Sequence, residues 1–195
     1  MIIKKPFYFL RHGETKANAD GLFCGSYDCP LSTLGEKQAA EISHHLLNIQ
    51  HTIQYAFFSP LRRAKSTAVI ATESISPLLI QKEGLKECDL GRLEKQKMTS
   101  ESQKIIQKWL KGEESHKGES HACFSKRIKT TFNECLQACD STPLFVSHGG
   151  VFMTLISNYL GHTPLKLANC GLVYLEPTLG EEKWKITPIS KNSFL

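Results

Sequence analysis

Three short apolar runs, at residues 7–10, 55–58 and 144–146, each end abruptly in polar residues, and amphipathic helical patterns lie between them. Continuous apolar runs of this length are typical of strands that are buried on both faces of a parallel sheet. Strands and helices therefore alternate, which predicts an α/β fold of three layers, with a mostly parallel central sheet flanked by helices. A chain of 195 residues is long enough for one buried core, so we predict a single domain over residues 1–195.

The same patterns place the remaining elements and predict where the helices begin. Two helices are predicted to begin at capping boxes, formed by Thr33 with Glu36 and by Ser100 with Gln103. Another helix is predicted to have Pro60 in its first turn, where proline is tolerated. The predicted helices are at 33–49, from Pro60, at 100–111, from Ser120 and at 151–160. Further strands are predicted at 78–80, 172–175 and 184–186, and loops at 18–30 and 85–94.

Composition argues against several classes of function. The formal net charge of +5 is spread along the chain without a basic block, so nucleic acid is not an expected partner. No stretch approaches the roughly 20 apolar residues of a membrane span, so we expect no membrane contact and a cytoplasmic location. The seven cysteines are irregularly spaced and read as reduced thiols. His44 and His45 are adjacent on a helix and cannot both face one metal ion, so no metal site is predicted.

Chemistry is predicted at the ends of the three apolar runs. The first run leads into Arg11-His12, the second into Ser59 and then Arg62-Arg63, and the third into Ser147-His148. In open α/β sheets ligands bind beyond the carboxyl ends of the strands, so these residues are expected to share one crevice. Fixed cations favour an oxyanion over a metal ion, which points to phosphate. A neighbouring cation also keeps an imidazole neutral, so His12 is the candidate nucleophile.

Motifs along nearly the whole chain resemble those of the histidine phosphatase superfamily, which is also called phosphoglycerate mutase-like. The opening motif R-H-G-x-T-x-x-N is matched at residues 11–18, and S-x-L-x-R-A-x-x-T-A at residues 59–68. Shorter matches are Asp28-Cys29-Pro30-Leu31-Ser32, the acidic segment from Leu85 to Glu94, Gly118-Glu119-Ser120 with Arg127, and Ser147-His148-Gly149-Gly150.

The resemblance implies a role for each matched residue. His12 would become a phosphohistidine, with its other ring nitrogen donating to a backbone carbonyl. Glu87 would protonate the leaving alcohol and later activate water, for which it needs a raised pKa or a shared hydrogen bond. The other implied contacts to phosphate or substrate come from Arg11, Arg63, His148, Asn18, Gly149, Cys24 and Gly25. No cofactor is required.

Within the family, the sequence favours hydrolysis over mutase activity. The mutase-type tyrosine after Glu87 is replaced by Leu90, and the paired downstream arginines of mutases are missing. The interval from Glu87 to His148 is also short for a mutase. We therefore predict a phosphomonoesterase similar to alpha-ribazole phosphatase. A phosphoglycerate mutase remains the main alternative, and a phosphate-binding module without turnover is a third; the identity of the substrate, metabolite or phosphoprotein, and the oligomeric state stay open.

Two further expectations concern segments around the predicted pocket. The polar segment 95–119 is predicted to leave the sheet and form part of a lid, in which Lys95, Lys97 and Lys104 contact the non-phosphate half of the substrate. Cys24 and Cys88 lie in segments that border the pocket, so oxidation of either thiol is expected to inhibit the enzyme.

Overall fold

The computed structural model describes residues 1–113 and 116–195, and its described part is built on one six-stranded sheet. Four neighbouring strands run parallel, in the order β3, β2, β4, β1, and β5 and β6 extend the sheet antiparallel beyond β1. This arrangement confirms the predicted mostly parallel α/β sheet. The strands are β1 (Phe7–Arg11), β2 (Tyr55–Phe58), β3 (Leu78–Gln81), β4 (Leu144–Ser147), β5 (Leu172–Glu176) and β6 (Lys185–Pro188).

Alternate residues of β1 point to opposite faces of the sheet, and each face has its own apolar core. Phe7 and Phe9 pack into one cluster of buried side chains, whereas Tyr8 and Leu10 pack into the other. Because side chains alternate along a strand, a run without polar residues requires cover on both faces. The consecutive apolar residues of β1 are therefore the reason that helices pack on both sides.

Helices cover both faces and complete the three layers. The described helices are α1 (Lys16–Ala19), α2 (Thr33–Leu47), α3 (Arg62–Thr72), α4 (Ser100–Leu110), α5 (His121–Gln137) and α6 (Gly149–Tyr159). The α2 and α3 helices supply buried residues to the Leu10 side of the sheet, for example Ile42 and Ala68. The α5 and α6 helices supply buried residues to the Phe9 side of the sheet. On that side the ring centroids of Phe132 and Phe145 are 4.2 Å apart.

Four helix starts differ from the sequence prediction, among them that of α6, which begins at Gly149 rather than at residue 151. The cap of α2 is Ser32, whose side chain accepts a hydrogen bond from Gly35 N without a reciprocal capping box, and the cap of α4 is Thr99, which forms a capping box with Ser102. Both caps lie one residue before the predicted ones, where an adjacent hydroxyl residue caps the helix in place of Thr33 or Ser100. The α3 helix begins at Arg62 after an extended Leu61, so Pro60 precedes the helix.

The order of the strands brings three strand ends side by side. The central β4 pairs with β1 on one side and with β2 on the other, in a register that sets Arg11 opposite Ser147 and Phe58 opposite Val146. The residues that follow these strands therefore emerge at the same edge of the sheet. The predicted excursion contains α4, and residues 114 and 115 of that excursion lie outside the described residues. None of the described helices has the length and apolar character needed to cross a membrane.

Candidate active site

His12 follows β1 directly and is held in one tautomer. The imidazole is buried, and its Nδ1 lies 2.7 Å from the carbonyl oxygen of Gly13. A carbonyl oxygen only accepts hydrogen bonds, so Nδ1 carries the proton and the lone pair of the neutral ring is on Nε2. This is the carbonyl contact that the resemblance implied for the nucleophile.

His148 lies beside His12 at the end of β4. The two ring centroids are 5.1 Å apart, and His148 has no exposed surface. Its Nε2 is 2.7 Å from the hydroxyl of Ser59, which follows β2, whereas its Nδ1 is buried without a hydrogen-bond partner among the described residues. The three strand ends therefore meet in one cluster.

Arg11 and Arg63 are anchored by their terminal nitrogens to loop carbonyls. Arg11 Nη1 donates to Leu167 O at 2.6 Å. Arg63 is fully buried, and its Nη2 and Nη1 donate to Gly25 O at 2.7 Å and to Tyr27 O at 2.8 Å. The Nε atoms of both arginines are buried and have no partner within residues 1–113 and 116–195. Each guanidinium is thus fixed while one of its donors is left over.

Burial and the nearby arginines together keep both imidazoles neutral. Burial, followed by the positive charges of Arg63 and Arg11, holds the pKa of His12 well below its usual value. Burial is also the main reason that the pKa of His148 lies well below its usual value. The charges of Arg63, His12 and Arg11 lower this pKa further. Both rings are therefore uncharged at physiological pH, and the site retains the positive charge of its arginines.

Glu87 faces this cluster from the loop after β3. Its carboxylate accepts hydrogen bonds from Gly150 N at 2.8 Å and from Cys88 N at 3.1 Å, and its charge acts on Arg11. A Cβ atom on Gly150 would lie only 2.4 Å from Glu87 Oε1, so the carboxylate can reach the start of α6 because that position is glycine. Gly150 thus makes room for Glu87 and donates to it, a supporting role that the sequence analysis assigned to no residue.

Arg127 of α5 holds the backbone of the Glu87 loop. Its guanidinium donates to the carbonyl oxygens of Gly84, Lys86 and Glu87 at 3.0, 2.7 and 3.1 Å. Its Nε and Nη2 also pair with both carboxylate oxygens of Glu119, at 2.7 and 2.8 Å. Such a bidentate pair has a defined geometry, so it fixes the loop that carries Glu87.

Asn18 lies within the short α1 helix and is linked to His12 through Asn169. Its Oδ1 accepts a hydrogen bond from Thr15 N in a capping box and another from Asn169 Nδ2 at 3.3 Å. Asn169 also donates to His12 O at 3.2 Å. The oxygen of Asn18 is thus occupied by these two donors, and the contact of its amide NH₂ with phosphate stays a prediction. Nothing in the sequence pattern singled out Asn169.

The remaining predicted site residues lie around the two arginines. Gly25 has a positive φ of 54° and offers its carbonyl to Arg63, while the Cys24 thiol lies 3.1 Å from that of Cys29. Gly149 is the first residue of α6, and a Cβ atom there would be 3.5 Å from Arg11 Nε, an ordinary contact. Thr67 of α3 accepts a hydrogen bond from Gly13 N at 3.0 Å, a role that its place in the second motif could have suggested.

Comparison with models of protein families matches residues 7–188 to the histidine phosphatase superfamily (branch 1). Among curated proteins, the "Probable phosphoglycerate mutase GpmB" of Enterobacter sp. (strain 638) is 34% identical over 179 residues, which cover 85% of this chain and 81% of that protein. The protein of the same name from Salmonella choleraesuis (strain SC-B67) is 32% identical over 191 residues, which cover 91% of this chain and 86% of that protein.

Solved structures with the same fold include proteins named as phosphatases. The alpha-ribazole phosphatase from Shigella flexneri is 22% identical, with a TM-score of 0.79 and coverage of 97% of this chain and 98% of that one. The mycobacterial glucosyl-3-phosphoglycerate phosphatase, in a structure with VO3, is also 22% identical, with a TM-score of 0.79 and coverage of 97% and 99%. At this identity the similarity shows a shared fold.

Proposed function

Because the chain belongs to the histidine phosphatase superfamily, we propose that it is a phosphomonoesterase that hydrolyses a small phosphorylated metabolite through a phosphohistidine on His12. Neither a metal ion nor an organic cofactor takes part in the proposed reaction. The described residues contain no cluster of three or more histidine, cysteine or acidic side chains with metal-binding geometry.

One observation carries the proposal: three buried polar atoms around His12 have no hydrogen-bond partner among the described residues. They are Arg11 Nε, Arg63 Nε and His148 Nδ1. An unpaired buried donor is costly, so several in one cluster indicate a missing acceptor. A phosphoryl group carries negative charge and has three oxygen atoms that accept hydrogen bonds. It could therefore accept from the two guanidinium groups and from the N–H of the one imidazole.

The proposed reaction begins with attack by His12 Nε2 on phosphorus. The bond from phosphorus to the ester oxygen breaks, and Glu87 gives its proton to the departing alcohol. The two arginines, His148 and the amide of Asn18 would hold the three equatorial oxygens, where charge is spread in the transition state. For His148 to donate from Nδ1, its Nε2 accepts the hydroxyl proton of Ser59 in their 2.7 Å hydrogen bond.

Hydrolysis of the phosphohistidine completes the cycle. Water attacks phosphorus, its proton passes to the Glu87 carboxylate, and the bond to His12 Nε2 breaks to release inorganic phosphate. Glu87 thereby returns to the protonated form in which it started. The hydrogen bonds of Glu87 to Gly150 N and Cys88 N, together with the Arg127 anchor, support this double role because they keep the carboxylate in one place.

A phosphoglycerate mutase is the second candidate, favoured by the names of relatives that are 31–34% identical. Leu90 argues against it, because it packs as a partly buried apolar side chain against the core where the family's mutases have tyrosine. A mutase would need a bisphosphorylated primer and would release little inorganic phosphate. The substrate itself and the cytoplasmic location remain predictions.

Release of phosphate from an aryl phosphate tests the proposal. We expect p-nitrophenyl phosphate to be hydrolysed with chelator present and without a primer, and His12→Ala to abolish turnover. His44→Ala is the matched control, because His44 is exposed on α2 outside the site. Primer-dependent isomerisation of phosphoglycerate with little hydrolysis would favour the mutase, and phosphate binding without any turnover would favour the binding module.

A further inference from the structure

Two thiols face each other beside the proposed phosphate site. Cys24 and Cys29 are both free, and their Sγ atoms are 3.1 Å apart. The turn between them is closed by hydrogen bonds from Tyr27 N to Cys24 O at 3.0 Å and from Cys29 N to Tyr27 O at 3.1 Å. A disulfide bond is about 2.05 Å long, so the two sulfur atoms need to approach by roughly 1 Å to form one.

The residues between the two thiols are those that hold Arg63. Both terminal nitrogens of Arg63 donate to carbonyls inside this short turn, at Gly25 and Tyr27, and Nη1 is 3.9 Å from Cys29 Sγ. Arg63 is fully buried, so leaving its donors without these carbonyls would be costly. A change in the turn is therefore transmitted to the guanidinium.

The two thiols differ in their chemical state. A hydrogen bond from the Cys24 thiol, with a further contribution from the charge of Arg63, lowers the pKa of Cys29 to about 6 against the opposing effect of burial. The same hydrogen bond, together with burial, raises the pKa of Cys24. Near neutral pH the pair thus consists of one thiolate and one thiol. Thiolates are the form that reacts with peroxides, and the partly exposed Cys24 is a resolving thiol in contact with the thiolate.

We propose that Cys24 and Cys29 form a reversible disulfide that inactivates the site by displacing the turn that holds Arg63. This regulation rests on the proposed phosphatase function. With hydrogen peroxide as oxidant, the Cys29 thiolate attacks one peroxide oxygen, the O–O bond breaks, and sulfenic acid and hydroxide form. The sulfur of Cys24 then attacks the sulfenic sulfur and displaces hydroxide, which takes the Cys24 proton to give water. One thiolate and one thiol together lose two electrons to form the disulfide, and one peroxide is reduced to one water and one hydroxide.

The other cysteines lack this arrangement. Cys88 is as buried as Cys29, but its thiol is directed at the carbonyl of Asp89 at 3.4 Å rather than at a second thiol, and burial raises its pKa. Cys135 and Cys139 lie one turn apart on and just after α5, and the Cys139 thiol is directed at Cys135 O at 3.2 Å. Burial raises the pKa of Cys135 to about 12. These thiols serve as internal references for an oxidation experiment.

The experiment treats the purified protein briefly with dilute hydrogen peroxide and follows the mass of its tryptic peptides together with its activity. Cleavage after lysine yields a peptide of residues 17–37, in which Cys24 and Cys29 are the two cysteines, and a peptide of residues 130–166 that contains Cys135 and Cys139. We expect the first peptide to lose the mass of two hydrogens and the second to remain unchanged. Activity should fall about 10- to 100-fold, the cost of a displacement near 1 Å in an active site.

Dithiothreitol should restore both the mass and the activity. Peroxide should not change the activity of the double variant Cys24→Ser/Cys29→Ser relative to the same variant left untreated. The control variant Cys123→Ser, which removes an exposed thiol, should still lose activity on treatment. Peptide 17–37 staying reduced while Cys123 is oxidised would overturn the proposal, as would full activity of the disulfide form.

A second readout separates this proposal from the proposed function. Inorganic phosphate should raise the Tm of the reduced protein and have little effect on the Tm of the oxidised protein. If the protein binds phosphate without hydrolysing any ester, this loss of the Tm shift still supports the thiol switch while the phosphatase assignment fails. An equal phosphate-induced shift in both redox forms would refute the switch.

Discussion

The substitution Gly150→Ala should move the carboxylate of Glu87 without destabilising the protein. The new Cβ atom would lie 2.4 Å from Glu87 Oε1 and 2.9 Å from Cδ, so the carboxylate has to withdraw by about 1 Å to reach an ordinary contact distance. The withdrawal also breaks the 2.8 Å hydrogen bond from Gly150 N. A misplacement of about 1 Å costs on the order of 100-fold in rate, or roughly 2.7 kcal/mol in the barrier.

The loss should depend on the leaving group. An aliphatic alcohol leaves only if it is protonated, so kcat/KM for an alkyl phosphate, which reports the steps up to departure of the alcohol, should fall by about 100-fold in Gly150→Ala. p-Nitrophenolate is stable without a proton, so kcat/KM for its phosphate ester should fall far less in the same variant. Thermal unfolding should show no decrease in Tm, because alanine is the better helix former at this position in α6.

Gly149→Ala is the matched comparison. It adds the same methyl group to the preceding residue of α6, where the new atom would be 3.5 Å from Arg11 Nε, an ordinary contact. Glu87→Gln should reproduce the leaving-group pattern of Gly150→Ala. Equal losses for alkyl and aryl esters in Gly150→Ala, or the same selective loss in Gly149→Ala, would refute the assignment of Glu87 as the acid.

Further predictions concern the anchor of the Glu87 loop and the buried imidazole. Arg127→Lys keeps the charge but cannot make the five hydrogen bonds of the guanidinium, so it should lower Tm by about 4–8 °C, which corresponds to ~2 kcal/mol. It should also lower kcat/KM for alkyl esters more than for aryl esters. A drop in Tm without leaving-group selectivity would assign it a purely structural role. The pKa of His148 in the folded protein lies well below its ordinary 6.5, so the unfolded chain binds the extra proton and the free energy of unfolding falls as pH decreases below about 6.5. His148→Asn should reduce this slope, measured by urea unfolding, by about 1.4 kcal/mol per pH unit; an unchanged slope would show that the ring is protonated in the folded protein.

The sheet and the positions of the strand ends could be predicted from sequence because their cause is local. An apolar run without alternation, such as that of β1, has to be buried on both faces, and this alone requires helices on both sides. Parallel neighbours then bring their carboxyl ends to one edge. Arg11, His12 and His148 are predictable in this way, and the structure places the rings of His12 and His148 5.1 Å apart, with the charge of Arg11 acting on His12.

The supports of the site were not predictable because they depend on distant parts of the chain. Asn169 reaches the carbonyl of His12 across 157 positions of sequence, and Arg127 contacts a loop some 40 positions earlier. No periodicity or spacing encodes such contacts. The displaced caps at Ser32 and Thr99 have a different cause, since several adjacent hydroxyl residues can each cap a helix and tertiary packing selects one.

The pairing of Cys24 with Cys29 could be predicted only in part from the sequence. The two positions are close in sequence, but only the turn at Tyr27 directs both thiols to the same point. Sequence reasoning placed Cys24 beside the pocket and grouped it with Cys88. The structure separates the two, because Cys88 is buried behind Asp89 and Glu119.

Trapping the phosphorylated enzyme tests the central claim most directly. The protein is mixed with a labelled phosphate ester, quenched with base to preserve phosphohistidine and digested with trypsin, which releases residues 12–16 as a peptide whose single histidine is His12. We predict that the label is found on this peptide, is lost in acid and appears and decays at rates consistent with turnover. Label on the peptide of residues 130–166, which contains His148, or turnover without any labelled peptide would contradict the account.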